Sequence, residues 1–156
     1  MTTRGMKYFI TIFASGLGTG FLPLASGTWG SLLGIPLAYA FNTTSKTLAL
    51  LSLTAFIFFA IWVSTQAENL WQEKDSRKIV IDEICGMSIS LLFIPFTLKT
   101  VLLAFLLFRF FDVTKLPPIN LLERSLPGGW GIVLDDVMAG VYTWVGLQLL
   151  FYVGWL

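Results

Sequence analysis

The sequence predicts an all-α fold: a polytopic helical bundle in a membrane, with a glycine-rich N-terminal loop that is re-entrant or interfacial. Three observations predict it: 56% of the residues are hydrophobic, only 12% are charged, and the mean hydropathy is +0.80. A soluble domain carries charge on about a quarter of its residues. We expect residues 1–156 to form a single integral-membrane domain.

Two runs without charge have the length of transmembrane helices. Residues 47–66 and 137–156 contain no Asp, Glu, Lys or Arg, and about 20 apolar residues cross the hydrocarbon. Two further arms, 84–98 and 100–108, flank Lys99 and predict a helical hairpin. Starting its first arm at Ile79 gives that arm the length of a span and places the acids at 82 and 83 in its first turns, near the interface.

The N-terminal segment 8–45 is also uncharged, but glycine and proline interrupt it at Gly16, Gly18, Gly20, Pro23, Gly27, Gly30 and Gly34. Irregular backbone at membrane depth persists only where protein buries it or where it lines a wet cavity. We therefore expect an arm, a loop, and a spanning helix that resumes near Thr28 and ends near Asn42.

Basic residues between the predicted spans set the orientation. They are Arg4, Lys7, Lys74, Arg77, Lys78, Arg109, Lys115 and Arg124, and the positive-inside rule places them in the cytoplasm. Lys46 and Lys99 would lie in short turns on the other side. This arrangement predicts about five crossing or half-crossing helices and no cleaved signal peptide. The connection 68–78 would be solvated, with residues 74–76 able to reach a lipid headgroup.

The residue types restrict the chemistry. The chain has no histidine, which excludes histidine-based hydrolysis within the chain. Its single cysteine, Cys85, excludes an intrachain disulfide and is more simply a small buried side chain than a nucleophile. The reactive groups that remain are the carboxylates in Ile81-Asp82-Glu83, Phe111-Asp112-Val113 and Leu134-Asp135-Asp136.

These acids predict a divalent-metal site at a membrane surface. An ionised group in hydrocarbon costs several kcal/mol, so clustered acids there mark a metal, proton or substrate site, and hard oxygen ligands suit Mg²⁺. Asp82-Glu83 and Asp135-Asp136 each precede an apolar run predicted as helix. Neighbours on a helix point about 100° apart, so one member can face a metal while the other orients a ligand, base or water. Helix capping with charge pairing is the structural alternative.

Two further motifs could bind phosphate. Arg109, Asp112 and Lys115 are spaced three apart, so a helix that continues to Lys115 and stops at the prolines 117–118 would place them on one broad face. That face would be a phosphate clamp beside a metal-binding or nucleophilic aspartate, or an ordinary interfacial ion pair.

The second motif is Gly27-Thr28-Trp29-Gly30-Ser31, at a predicted helix start. The backbone of Gly27 and Gly30 and the hydroxyls of Thr28 and Ser31 would form an anion site. The alternative is that these glycines serve close helix packing.

Several of these motifs occur together at compatible spacing. They are Gly16-Leu17-Gly18-Thr19-Gly20, Gly27-Thr28-Trp29-Gly30-Ser31, Ile79-Val80-Ile81-Asp82-Glu83, Phe108-Arg109-Phe110-Phe111-Asp112 with Lys115 and Pro118-Ile119, and Gly128-Gly129-Trp130-Gly131-Ile132 through Asp135-Asp136-Val137-Met138-Ala139-Gly140. In this order, and over nearly the whole chain, the sequence resembles the phosphatidylglycerophosphatase A family. Ser26 and Leu116 stand at two positions where the family usually or often has proline. Both departures concern the shape of a loop.

The resemblance implies a magnesium-dependent phosphatase of the bacterial inner membrane that converts phosphatidylglycerol phosphate to phosphatidylglycerol and phosphate. It implies a lipid bilayer as surroundings, a cytoplasmic active site and no nucleic-acid partner. We expect water as the nucleophile, with attack by Asp112 as the alternative.

Two rival functions stay open at this point. An ion- or proton-coupled transporter would also place acids and broken helices in the membrane, but near its middle rather than at segment ends beside basic residues. Another lipid-phosphate transferase would share magnesium and substrate, but the usual single aspartate-rich helix signature is not found.

Overall fold

The protein is helical throughout its regular structure. The computed structural model describes residues 3–117 and 119–156, except for the side chains of residues 123 and 124, and in these ranges it contains no β-strand. The helices are α1 Arg4–Ala14, α2 Ser26–Asn42, α3 Lys46–Trp71, α4 Ile81–Ser90, α5 Leu98–Thr114, α6 Ile119–Ser125 and α7 Gly129–Tyr152, with one 3₁₀ turn at Thr19–Phe21. The predicted all-α class is confirmed.

Helices α3 and α7 are long and apolar enough to cross a membrane. Their 26 and 24 residues give lengths of about 39 and 36 Å at 1.5 Å per residue, against a hydrocarbon thickness of about 30 Å. The Ser45 hydroxyl caps α3 by accepting from the Leu48 N–H at 3.3 Å. Helix α3 covers the whole predicted charge-free run 47–66, whereas α7 covers residues 137–152 of the run 137–156 and ends before its last four residues.

Helix α7 begins earlier than the charge pattern indicated. It starts at Gly129, so Asp135 and Asp136 lie inside the helix rather than before it. The expectation that this acidic pair precedes its helix was wrong. Apolar neighbours allow the helix to continue through the pair, because both carboxyl groups point into the protein and are buried.

The predicted hairpin has a different break. Helix α4 ends at Ser90, residues 91–97 form turns, and Lys99 lies inside the first turn of α5 rather than between the arms. The start of α5 is fixed by a capping box in which the side chains of Thr97 and Thr100 each bond to the other residue's backbone N–H. With only 10 residues, α4 is about 15 Å long, half of a membrane span.

The short helix α4 lies at the centre of the bundle. Every residue in it except Glu83 is buried, and it packs between α2 and α7. Glycines permit these close contacts: Gly30 of α2 lies against Val80, and Gly34 lies against Met87. The glycines of α2 therefore form a packing face.

The contact between α4 and α7 also depends on glycine. A Cβ added at Gly140 would collide with the Gly86 carbonyl oxygen, and one added at Gly86 would collide with the Asp136 carbonyl oxygen. Asp82 and Asp136 each lie four residues, about one helical turn, before one of these glycines. Close packing at the glycines thus brings the two acids together.

We expect Gly140→Ala to lower the free energy of unfolding by about 1–3 kcal/mol, the usual cost of inserting a methyl group into a packed core. Thermal unfolding of the detergent-solubilised protein measures the effect. Gly146→Ala is the matched control in the same helix, because its added Cβ would meet only Leu107 Cδ1, at 3.8 Å. Equal stability of the two variants would contradict the prediction.

The N-terminal segment joins α1 to α2 through residues 15–25. Gly16 and Gly18 take positive φ angles of 52° and 96°, which glycine adopts readily, and the Val80 N–H donates to the Ala14 carbonyl at 2.9 Å. Helix α2 then starts at Ser26 and ends at Asn42, close to the predicted bounds. The re-entrant or interfacial position of the loop stays a prediction.

Candidate functional site

Four helix ends converge on one cavity of about 640 Å³. They are the N-termini of α2, α4 and α7 and the C-terminus of α5. Nine charged residues line the cavity: Asp75, Arg77, Asp82, Glu83, Arg109, Asp112, Lys115, Asp135 and Asp136. All five predicted metal-site acids and both predicted phosphate-binding cations are among them.

Three of the acids form a compact group. One carboxylate oxygen each from Asp82, Glu83 and Asp136 lies within 4.8 Å of the others, and the two aspartates are only 8% and 4% exposed. Glu83 Oε2 is buried without a hydrogen-bond partner. Buried negative charges at this separation repel one another and have lost water, so a bound cation would stabilise them. The donor set of hard oxygens fits a divalent metal ion.

Asp112 lies beside Asp136 and forms an ion pair with Arg109. Arg109 Nη1 and Asp112 Oδ2 are 2.6 Å apart, but Nη1 is not aligned for a hydrogen bond and is buried without a hydrogen-bond acceptor. The predicted pairing on one helix face is thus present. The guanidinium keeps donors that could bind an anion in the cavity.

Lys115 reaches the site by a different route from the predicted one. It is the C-cap of α5 with φ +45°, so the helix ends at Thr114 and Lys115 does not continue the face of Arg109. Its ammonium donates to Asp135 Oδ2 at 2.9 Å. The left-handed cap ends the helix before the prolines. The predicted stop was the pair of prolines at 117–118, of which Pro118 lies outside the described residues.

The glycine motif contributes one wall of the cavity. Gly27 lines the cavity, in contact distance of Glu83 and Arg109. Thr28, Gly30 and Ser31 do not line it: Gly30 packs on α4, and the buried Ser31 hydroxyl donates to the Gly27 carbonyl at 2.8 Å.

Sequence reasoning gave no place in the site to Arg77 or Ser26, and it placed Asp75 only in a segment able to reach a lipid headgroup. Asp75 and Arg77 belong to the connection between α3 and α4, and Ser26 begins α2. The connection was expected to be solvated, with residues 74–76 reaching a headgroup. Its position in the sequence, directly before Asp82 and Glu83, could have predicted that it lies at the site, because a short connection must end where α4 begins.

Buried carboxylates that can hold a metal, beside cations fixed by ion pairs, define a helical enzyme of the class that acts on phosphate esters. The chain matches the family model for phosphatidylglycerophosphatase A over residues 12–151. It belongs to the phosphatidylglycerophosphatase A family.

Two curated relatives carry the name of this family, and a third carries the name of another phosphatase. A Bacteroides thetaiotaomicron protein, provisionally named a phosphatidylinositol-3-phosphatase, is 38% identical over 89% of this chain and 91% of its own length. Phosphatidylglycerophosphatase A of Haemophilus influenzae is 37% identical over 86% of this chain and 83% of its own length. Phosphatidylglycerophosphatase A of Escherichia coli is 33% identical over 92% of this chain and 82% of its own length. No solved structure matches the chain.

The family defines a lipid phosphatase, a hydrolase of phosphomonoesters. Membership of a phosphatase family accounts for the buried acids, so a transporter function is not needed to explain them. Asp82 also lies in the first turn of α4 and lines the open cavity, which fits a surface site better than a transport pathway.

Proposed function

We propose that the chain is a magnesium-dependent phosphatidylglycerophosphatase, which hydrolyses phosphatidylglycerol phosphate to phosphatidylglycerol and phosphate. The observation that carries the proposal is the convergence of Asp82, Glu83 and Asp136 with Arg109 on one open cavity. Mg²⁺ uses few protein carboxylates and keeps water positions that a phosphate can take. A phosphomonoester is the ligand that both halves of this cavity would bind.

The three clustered carboxylates would hold the ion, with Asp112 and Asp135 next to them. When bound, the ion would neutralise negative charge on the phosphomonoester. The orphaned Glu83 Oε2 supports this assignment, because a buried carboxylate oxygen otherwise has a hydrogen-bond partner.

Phosphate recognition is assigned to Arg109 and Lys115. Each is held at the cavity wall by an ion pair, with Asp112 and Asp135 respectively, so both cations are already oriented. Such fixed donors stabilise the equatorial oxygens as charge redistributes in phosphoryl transfer. Gly27 places the N-terminus of α2 beside them, where backbone N–H groups favour anions.

Water is the nucleophile in this proposal, with a carboxylate of the site as the base. Attack by Asp112 to form an aspartyl phosphate is the alternative. Hydroxylamine distinguishes the two routes, because it traps an acyl phosphate and leaves the water route unmarked.

The proposed location is the bacterial inner membrane. Helices α3 and α7 would cross it, and the other helices would complete a polytopic bundle. The cavity end carries Arg77, Arg109 and Lys115, so the positive-inside rule places the active site in the cytoplasm.

Phosphate release by the purified protein in detergent micelles tests the proposal. We expect release from phosphatidylglycerol phosphate that requires Mg²⁺ and stops in excess chelator. Phosphatidylinositol 3-phosphate is the comparison substrate, because one relative is named for that activity. No release with Mg²⁺ present, or full release in chelator, would contradict the proposal.

A further inference from the structure

Arg77 is a cation of the catalytic cavity to which the proposed mechanism gives no role. It lies in the connection between α3 and α4, is exposed, and lines the cavity. Arg109 and Lys115 are each paired with an aspartate. Across the described part of the chain, no ion pair or hydrogen bond involves the Arg77 guanidinium, so all its donors are available to a ligand.

The backbone that carries Arg77 is held on both sides. The Ser26 hydroxyl donates to the Arg77 carbonyl oxygen at 2.7 Å, which ties the connection to the N-terminus of α2. The buried Ser76 hydroxyl donates to Glu73 Oε2 at 2.7 Å, and Lys78 Nζ donates to the same oxygen at 3.1 Å. The hydrogen bond from Ser76, followed by that from Lys78, holds the pKa of Glu73 below its ordinary value, so these contacts persist at neutral pH. The guanidinium therefore extends from a fixed position.

The substrate class needs a second anion site. Phosphatidylglycerol phosphate carries a terminal phosphomonoester and, one glycerol unit away, a phosphodiester that joins the headgroup to diacylglycerol. The monoester must lie against the acids, Arg109 and Lys115 for hydrolysis. The diester then lies toward the lipid, and a cation with free, planar N–H donors suits its oxygens.

We infer that Arg77 binds this inner phosphodiester and is a specificity-determining residue for lipids that carry a diester beyond the scissile monoester. The inference rests on the proposed function and extends it to the second phosphate. It separates such lipids from phosphatidic acid, whose only phosphate is a monoester. Arg77 does not touch the reacting atoms, so its effect is on binding rather than on the chemical step.

The test uses Arg77→Gln in neutral detergent micelles that contain no other anionic lipid, so that an effect must come from the substrate itself. We expect KM for phosphatidylglycerol phosphate to rise about tenfold, the effect of losing one partly exposed charge-assisted contact, with kcat within about twofold. Product inhibition separates the two phosphates. The inhibition constant of phosphatidylglycerol, which carries only the diester, should rise about tenfold, and that of inorganic phosphate should stay unchanged.

Lys74→Gln is the matched control, because it removes an exposed cation of the same connection that lines a different cavity. It should leave all four constants unchanged, and Arg77→Lys should recover part of the loss. An unchanged KM in Arg77→Gln, an equal rise of both inhibition constants, or the same effect in Lys74→Gln would overturn the inference. Wild-type protein that releases no phosphate from phosphatidylglycerol phosphate would overturn the proposed function as well, so the two failures are distinguishable.

Discussion

Replacing Asp136 with asparagine should lower the turnover of phosphatidylglycerol phosphate by at least about 10²-fold, the effect of removing one group from a charge-stabilising site. The amide keeps the volume of the buried side chain but removes one negative charge and one ligand from the group with Asp82 and Glu83. Asp82→Asn should have the same effect. Initial rates of phosphate release at increasing Mg²⁺ measure it, and the Mg²⁺ concentration for half-maximal rate should rise in both variants.

Glu73→Gln is the control for lost negative charge. Glu73 is exposed, lies outside the catalytic cavity, and forms its ion pair with Lys78. At saturating substrate its turnover should stay near that of the wild type, because the contacts of Glu73 hold the backbone of Arg77, which acts on binding rather than on the chemical step. Near-normal turnover in both aspartate variants would show that the acidic group does not hold the metal.

The second large effect is expected from a single methyl group. In Gly27→Ala, the added Cβ would overlap Glu83 Oε1 and lie 2.9 Å from Arg109 Nη1. Both colliding atoms are ends of side chains that can move, and alanine favours helix over glycine by about 1 kcal/mol, so the fold should persist. The displaced carboxylate and guanidinium should lower turnover about 10²-fold, as misplacement by about 1 Å commonly does.

Phosphate release and thermal unfolding must be measured together on Gly27→Ala. Gly5→Ala is the control, because an added Cβ there meets no atom within 4 Å. We expect lost activity without a lowered unfolding temperature in Gly27→Ala, and unchanged activity in Gly5→Ala. If Gly27→Ala keeps full activity, Glu83 and Arg109 do not need their observed positions.

Much of the fold followed from periodicity and charge. The uncharged run 47–66 predicted α3, and the return of helix after the glycines predicted the end of α2 at Asn42. The start of α7 was missed because charged residues normally end an apolar run, whereas Asp135 and Asp136 continue the helix with buried carboxyl groups. Hydropathy alone does not distinguish an acid that ends a helix from one that faces a site.

The site was predictable as a set of residues but not as an arrangement. The sequence contains the five acids and Arg109, yet it does not state that Gly86 and Gly140 bring the N-terminal turns of α4 and α7 together. Nor does it show that Lys115 leaves the helix and pairs with Asp135. Contacts between segments that are distant along the chain depend on packing. A single sequence indicates such packing only through the positions of its small residues.

The packing beneath the acidic residues limits the directions from which the substrate can reach them. One turn below the acids, the backbones of Gly86 and Gly140 touch, the ring of Phe108 is packed against Gly86, and Met87 and Thr143 are fully buried. Among the described residues, this packing closes the cavity on the side of the two glycines. In the proposed membrane position, we expect the lipid to approach and leave through the same opening, without changing leaflet. We then expect the released phosphate to return to the compartment from which the headgroup came, so that hydrolysis moves no material across the membrane.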